Sequence, residues 1–410
     1  MMFGKHGSAY ALFFTLVAAM IAMASAVGAW SFEFYISVRT LPTTLLIVSA
    51  PFLAWIGLIT VRLLRRGVDR PLPVVTRMVR RYRHWMMRTA LVLITIIPGT
   101  RAASSIKQAI PQNVPFYADP YLADVERFIL GVDAWRLTHA FLGPFGTLII
   151  DRLYLLWFPA LSVLMSWFIV SRDRVFQLRG LLTMLLSWAL LGNLLATTMA
   201  SVGPVFYEEF YGDDRFAPLL ANLRAYDVTY PVKMLLVSEF LLQTYNKGVF
   251  GSGISAMPSM HVSIAMIWLL VTRDRFGWRS PTFAAVAFFA VTCVGSVHLG
   301  WHYVSDGLVS IIGTGLIWWA VGRLVAVLAQ YDANRHWLSV RARQRVAPRQ
   351  DDQCWRSERL SCQRSASDLT CFFCGTGGRG RGSLPEENKA SGAAIRQGML
   401  LFNEIRDCLW

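Results

Sequence analysis

Charge is the first thing this sequence is short of. Only 16% of its 410 residues are Asp, Glu, Lys or Arg, against about a quarter in an ordinary soluble domain. Acids are the scarcer sign, 25 against 40 bases, which leaves a net charge of +15. With 55% hydrophobic residues and a mean hydropathy of +0.43, the chain carries more apolar surface than a water-soluble fold can hide, and it reads as an integral membrane protein. Fifteen Trp and 25 Phe add the aromatic weight that bilayer interfaces favour. The surplus of bases does not mark a nucleic-acid partner, because Arg and Lys sit in short segments between apolar runs and in the C-terminal stretch rather than on one face.

Other absences remove whole classes. There is no Walker phosphate loop, no dinucleotide fingerprint after a strand and no zinc-protease histidine pair; "GTGGRGRG" lies in the tail and reads as a linker. Cysteine is nearly confined to the end of the chain, at Cys354, Cys362, Cys371, Cys374 and Cys408, with Cys293 alone in an apolar run. The "CFFC" pair lacks a second Cys or His pair at a matching spacing, so idle thiols are the better reading and no metal is expected. Neither half of the chain repeats the other, which argues against a transporter, although a non-catalytic membrane protein stays open as an alternative.

What the sequence does have is long apolar runs. A spanning helix needs about 20 mostly apolar residues, and that template finds about eight, near 9–29, 42–64, 85–100, 147–170, 181–201, 259–272, 281–297 and 304–328. The expected fold is therefore all-α, a polytopic membrane helix bundle. The third and sixth runs are short and must recruit flanking residues or lie shielded inside the bundle. The first run lacks a convincing small-residue cleavage site and reads as a retained helix.

Three segments rich in Arg, 62–88, 171–179 and 272–280, fall on one side of an eight-helix count and so predict a cytoplasmic face with both termini on it. The more acidic segments 119–135 and 203–216 fall on the other side, with His261. The expected location is a bacterial inner membrane with the site facing the periplasm. Past about residue 335 the chain turns basic, with Ser and Gly, and reads as disordered. The expected organisation is 1–84, two helices and a basic loop; 85–332, a catalytic membrane domain; and 333–410, a cytoplasmic tail.

Four polar residues stand near the outer ends of the last helices: His261, His298, His302 and Asp306. In "SVHLGWHYVSD" (296–306), His302 and Asp306 are four apart and share one helical face, so the carboxylate can fix one imidazole tautomer, an arrangement suited to a covalent nucleophile. His261, in the "PSMH" turn ahead of another helix, can meet them as proton donor or acceptor. Singly, such histidines are more often interfacial polar residues. Their convergence at one membrane depth is what points to function, because ionisable groups at or in a bilayer are costly.

"PSMH" followed by a helix, with "HYVSD" some forty residues later, resembles the type 2 phosphatidic acid phosphatase superfamily, and most nearly its inositolphosphotransferase branch. "PFYADPYLADVERFILGVDAWRLT" is similar to the region ahead of that branch's core. The resemblance spans roughly 100–325. It implies a six-helix phosphatase-type core, His302 as the nucleophile that accepts a phosphoryl group, Asp306 as its orienter and His261 as general acid. It also implies a phospholipid or other lipid phosphate as substrate and no cofactor. Transfer to a lipid alcohol would make a phosphotransferase; transfer to water would make a lipid phosphatase.

The sequence also departs from that pattern. The superfamily's early Lys-x6-Arg-Pro motif is missing, and its Arg six residues before the nucleophile is Ser296 here. A transferring phosphoryl group spreads charge over three oxygens and needs donors. Candidates for substrate binding are Lys107, His298, Ser259 and the amides around Gly251 and Gly253, where glycine permits close approach. Arg101 is a further cation on the same side. Lys107 has an alternative role as a lysine snorkelling to the interface. "GPVFY" (203–207) most simply ends a helix; the loop behind it, with Tyr207, Glu208, Glu209, Asp213 and Asp214, is either a cap over the site or plain solvated surface.

Overall fold

The computed structural model describes residues 6–27, 56–68, 70–247 and 253–346, together with Phe3 and Leu53. Residues 344–410 form a separate unit from 1–343, and all but its first three residues lie outside the described ones, including the "CFFC" pair and the stretch expected to be disordered. Among the described residues there is no strand. The principal helices are α1 (Gly7–Ala26), α2 (Pro71–Asn113), α3 (Asp119–Leu130), α4 (Ala134–Phe141), α5 (Pro144–Leu155), α6 (Trp157–Val170) and α7 (Arg174–Leu186). They continue with α8 (Ala217–Thr229), α9 (Lys233–Asn246), α10 (Met260–Phe276), α11 (Ser280–His298) and α12 (Val304–Val346).

Six stretches among the described residues are long and apolar enough to cross a membrane: Gly7–Ala26, Pro71–Pro111, Pro144–Val170, Arg174–Thr198, Ser280–His298 and Val304–Ser339. They correspond to six of the eight expected runs, and the chain is an integral membrane protein of all-α type. The run at 42–64 is described only in part, with 56–65 helical. The run at 259–272 is α10, 17 residues long. Its shortness has the anticipated remedy: Val262, Ser263, Ile264, Ala265, Ile267 and Val271 are all buried, so the helix is shielded by its neighbours. Arg273 and Arg275 in its last turn suit the negative end of the helix.

Three boundaries differ from expectation. The third run is not short: α2 is continuous over 43 residues, about 65 Å at 1.5 Å per residue, and takes up much of the basic segment that reads as a loop. Arg and Met are good helix formers, and nothing between Pro73 and Pro98 interrupts the hydrogen bonding. The boundary expected at 84/85 thus falls inside a helix, and so does the one at 332/333, because α12 runs on to Val346. The fourth run is two helices with a break at Leu156. Pro159 has no N–H to give to the Leu155 carbonyl, which removes one bond of the α-helical ladder at this break.

Among the described residues the two larger hydrophobic clusters organise the unit. One is the spanning core, with Tyr10 and Phe13 of α1, Val92 and Ala103 of α2, Phe168 of α6, Leu178 and Leu182 of α7, Ile264 of α10 and Val321 of α12. The other lies around the ends of the helices near His302, where Leu122, Trp135, Tyr154, Phe216, Leu219, Met257, Leu299 and Tyr303 meet. Along the spanning core α7 continues as a π-helix, Ser187–Leu195, with Leu191 in the core; Gly192 on it lies against Met260, where an added Cβ would sit 3.2 Å from the Sδ.

Candidate active site

The residues around His261 are placed by two turns and a helix break. Ser259 is the N-cap of α10: its Oγ accepts from the Val262 N–H at 3.3 Å, satisfying one of the free amides of the first turn. Its own N–H donates to the Asp306 carbonyl at 3.3 Å, which ties the start of α10 to the start of α12. The preceding loop is held by Ser201, which accepts the Ala256 N–H on its carbonyl and the Met257 N–H on its Oγ, each at 2.9 Å. His261 then sits one residue into α10, its ring stacked on Tyr154 at 4.9 Å between centroids and 4.4 Å from Trp157. These two aromatics flank the break between α5 and α6, so Pro159 also shapes the wall behind His261.

His302 occupies the turn between α11 and α12. The Ser296 carbonyl accepts from both Trp301 and His302 N–H, at 3.0 and 3.1 Å, and Gly300 takes a φ of +74°, a conformation that costs glycine least. On the first turn of α12, Asp306 places its Oδ2 3.3 Å from His302 Nδ1 and 3.1 Å from the Tyr303 N–H. The His261 and His302 rings lie 5.8 Å apart. His302 is 6% exposed and Asp306 0%, and Asp306 Oδ1 has no hydrogen-bond partner.

Lys107 reaches the same place from α2. Its Nζ donates to the Ser255 carbonyl at 3.2 Å, and its charge acts on His261, His302 and Asp306. The structure therefore brings together His261, His302, Asp306 and Lys107. Arg101, by contrast, is exposed on α2.

The other expected phosphate donors fare differently. His298 is fully buried, with Nε2 2.9 Å from Thr147 Oγ1 and Nδ1 3.1 Å from Thr138 Oγ1, while the His139 ring packs 4.3 Å away. Both its nitrogens are taken up in joining α4, α5 and α11. Ser259 spends its hydroxyl on the α10 cap. Gly253 is in the loop with a φ of +32°, whereas Gly251 lies outside the described residues. Ser255 and Trp157 were not anticipated: Ser255 Oγ and Trp157 Nε1 are both buried without a partner. Ser255 lies in the loop whose carbonyl Lys107 holds, and Trp157 stands against His261.

The layer over the site was not legible as such. Asp119, at the start of α3, is fully buried and accepts four hydrogen bonds: from Val202 N–H (2.8 Å), Gly203 N–H (2.7 Å), Tyr211 Oη (2.9 Å) and Tyr303 Oη (3.1 Å). Glu126, about two turns further along α3 on the same face, accepts from Ala134 N–H at 2.9 Å and from Val304 N–H at 2.8 Å. These two carboxylates thus grip the residues that follow His302. Burial pushes both carboxyls above the usual range, and their donors pull them back. Only the composition of 119–135, richer in acids than in bases, set the segment apart in the sequence.

Asp133 completes the layer. Its carboxylate receives Arg127 at 2.7 Å and Arg215 at 2.9 Å; burial opposes ionisation, but the two guanidiniums outweigh it and hold the carboxyl below its usual range. Gly203 sits where its φ is +87° and where an added Cβ would lie 2.5 Å from the Trp301 carbonyl oxygen. Its glycine thus serves close approach of two backbones as well as the end of a helix. Of the loop behind it, Tyr207 is buried against Tyr211 and Phe216, while Glu208, Glu209, Asp213 and Asp214 are exposed, as solvated surface would be.

A family model described as the PAP2 superfamily matches residues 122–320. The match supports that superfamily, whose members are phosphatases and phosphotransferases. The matched stretch contains Glu126, His261, His302 and Asp306 and leaves Lys107 and Asp119 outside. Comparison with the curated proteins and with the solved structures finds no match.

Proposed function

We propose that the chain is a membrane enzyme of lipid phosphate esters that works through a phosphohistidine. One observation carries this reading: His302, in the turn ahead of α12, and His261, on α10, lie with ring centroids 5.8 Å apart, with Asp306 on His302 Nδ1. In the first step the other ring nitrogen of His302 forms a bond to phosphorus as the ester P–O bond breaks, and His261, protonated, gives its proton to the departing alkoxide. In the second step an acceptor hydroxyl attacks phosphorus, the P–N bond breaks, and His261 takes the acceptor's proton. Asp306 fixes the tautomer that leaves the attacking nitrogen unprotonated. Lys107, Ser255 Oγ and Trp157 Nε1 are the donors for the phosphoryl oxygens, replacing the arginine whose place Ser296 fills.

The finer reading is transfer of a phospho-head group to an alcohol, in the manner of the inositolphosphotransferase branch. It rests on the missing arginine motifs and on the likeness of 115–138 to that branch. The Arg-rich segments would face the cytoplasm and the site the outer compartment.

The test is to incubate purified protein with labelled phosphatidylinositol, phosphatidic acid and a prenyl diphosphate, with and without a lipid alcohol, and to follow the label. Label on a new lipid is the expected product; free phosphate would instead identify a phosphatase. Acid-labile label on the protein, lost in His302→Ala, is expected either way. Turnover that survives in both His302→Ala and His261→Ala would overturn the reading in favour of a non-catalytic role.

A further inference from the structure

A cavity lined largely by polar side chains lies at the other end of the bundle. His6, Trp85, Arg88, Arg172, Asp173, Arg174 and Val175 line a space of about 410 Å³. Arg88 is separated from Lys107 by nineteen residues of α2, about 28 Å along a helix, close to the thickness of a bilayer's hydrocarbon core. The two sites therefore belong to opposite membrane faces.

The cavity is built around cations held by neutral partners. Among the described residues none of Arg88, Arg172 and Arg174 forms an ion pair. Arg88 is 3% exposed, donates through Nη2 to the Ser171 carbonyl at 3.0 Å, and leaves its Nε without a partner. Arg172 lies over the Tyr82 and Trp85 rings, 4.5 and 5.5 Å from their centroids, which fixes the guanidinium plane and leaves its edge to bind. Arg174 donates to the Phe3 carbonyl at 3.2 Å, and His6 Nδ1 is buried without a partner.

The acids nearby are already committed. Asp173 caps α7 by accepting the Val175 and Phe176 N–H groups and stands 3.5 Å from Arg275; Asp332 accepts both the N–H and the Oγ of Ser8. Among the described residues three guanidiniums, one of them buried, are thus left around a cavity whose own acid, Asp173, is already engaged by Arg275 and by the first amides of α7, and burying unpaired charge is expensive.

We infer that this cavity binds a phosphate-bearing anion, with Arg88, Arg172 and Arg174 as its donors. Planar guanidiniums match phosphate oxygens in charge and geometry. At this depth, beside an interfacial Trp, the headgroup of an anionic phospholipid and free phosphate share that chemistry.

The experiment uses the full chain in detergent, titrated separately with phosphatidylglycerol, phosphatidylcholine and inorganic phosphate, and read by native mass spectrometry and melting temperature. Wild type should retain phosphatidylglycerol or phosphate in preference to phosphatidylcholine; which of the two is held identifies the source. Arg172→Gln/Arg174→Gln should weaken that binding at least about tenfold, while Arg172→Lys/Arg174→Lys restores part of it. The active site is the same in all three proteins, so the difference reports on this cavity alone. Wild-type binding should also weaken as salt is raised, a readout that needs no variant. Equal retention by the Gln variant, absence of preference for the anions, or binding indifferent to salt would overturn the inference.

Discussion

The spanning bundle and the layer over its active end are held together in different ways. The bundle packs apolar side chains such as Phe13, Phe168, Leu182 and Val321, with polar contacts that are few and short in reach, Ser263 to Thr314 at 2.7 Å among them. The layer, formed by 114–143 and 199–246, relies on buried carboxylates that accept backbone N–H groups: Asp119 on Val202 and Gly203, Glu126 on Ala134 and Val304, and Asp151 on Lys233 and Met234. Helices satisfy their own backbone, so they need nothing from outside but a place to bury their sides. Turns and short helices do not, and every buried amide in them needs a partner. A carboxylate with two oxygens can hold two such amides at once.

The contrast makes predictions about what each substitution loses. The largest effect is on rate: His302→Ala should reduce turnover by about a thousandfold or more, with a melting temperature near wild type, because one ring at the edge of the bundle carries little of its packing. Measuring both quantities on the same preparation checks this. Next, Asp119→Ala should lower stability by about 3–5 kcal/mol, since it leaves two backbone amides and two tyrosine hydroxyls facing an empty buried space, and its loss of activity should follow its loss of fold. A variant that melts like wild type would show that the layer is not held as described.

Glu126→Gln retains one carbonyl acceptor and should cost less, about 1–2 kcal/mol, yet it loosens Val304 beside the nucleophile; a fall in kcat larger than the change in melting temperature would sharpen the comparison. Lys107→Met should leave the fold intact and weaken substrate binding by about tenfold, seen as a rise in KM.

The smallest effect is the pH dependence of the layer. Asp133 is held below its usual range by Arg127 and Arg215, so its contribution is present above the unfolded value of about 4 and is lost as pH falls through the lower folded value. Thermal unfolding followed from pH 6 down to pH 2 should show this loss in wild type and less of it in Asp133→Asn.

The comparison also separates what could be read early from what could not. Six apolar runs were legible as spanning helices because hydropathy and length are nearly sufficient for that inference in a bilayer. The extents of α2 and α12 were not, because charged residues continue a helix into water as readily as they end one. His302 and Asp306 were legible as a pair from their spacing of four. His298 carried the same signal of a polar residue near a helix end and turns out to join Thr138 and Thr147. Asp119 and Glu126 looked like the acids of a solvated loop, since nothing in their spacing distinguishes a carboxylate facing water from one facing backbone amides.

The sequence by itself determined a helical membrane protein with a His–Asp pair at one end of its last helix, because apolar length and local spacing are properties of single segments. Only the tertiary structure decided that His261 and Lys107 meet that pair, that Asp119 and Glu126 hold the turn behind it, and that Arg88, Arg172 and Arg174 gather at the far end. Each of those depends on which segments lie side by side, and packing in three dimensions settles that through partners between about 40 and 200 positions apart in the chain.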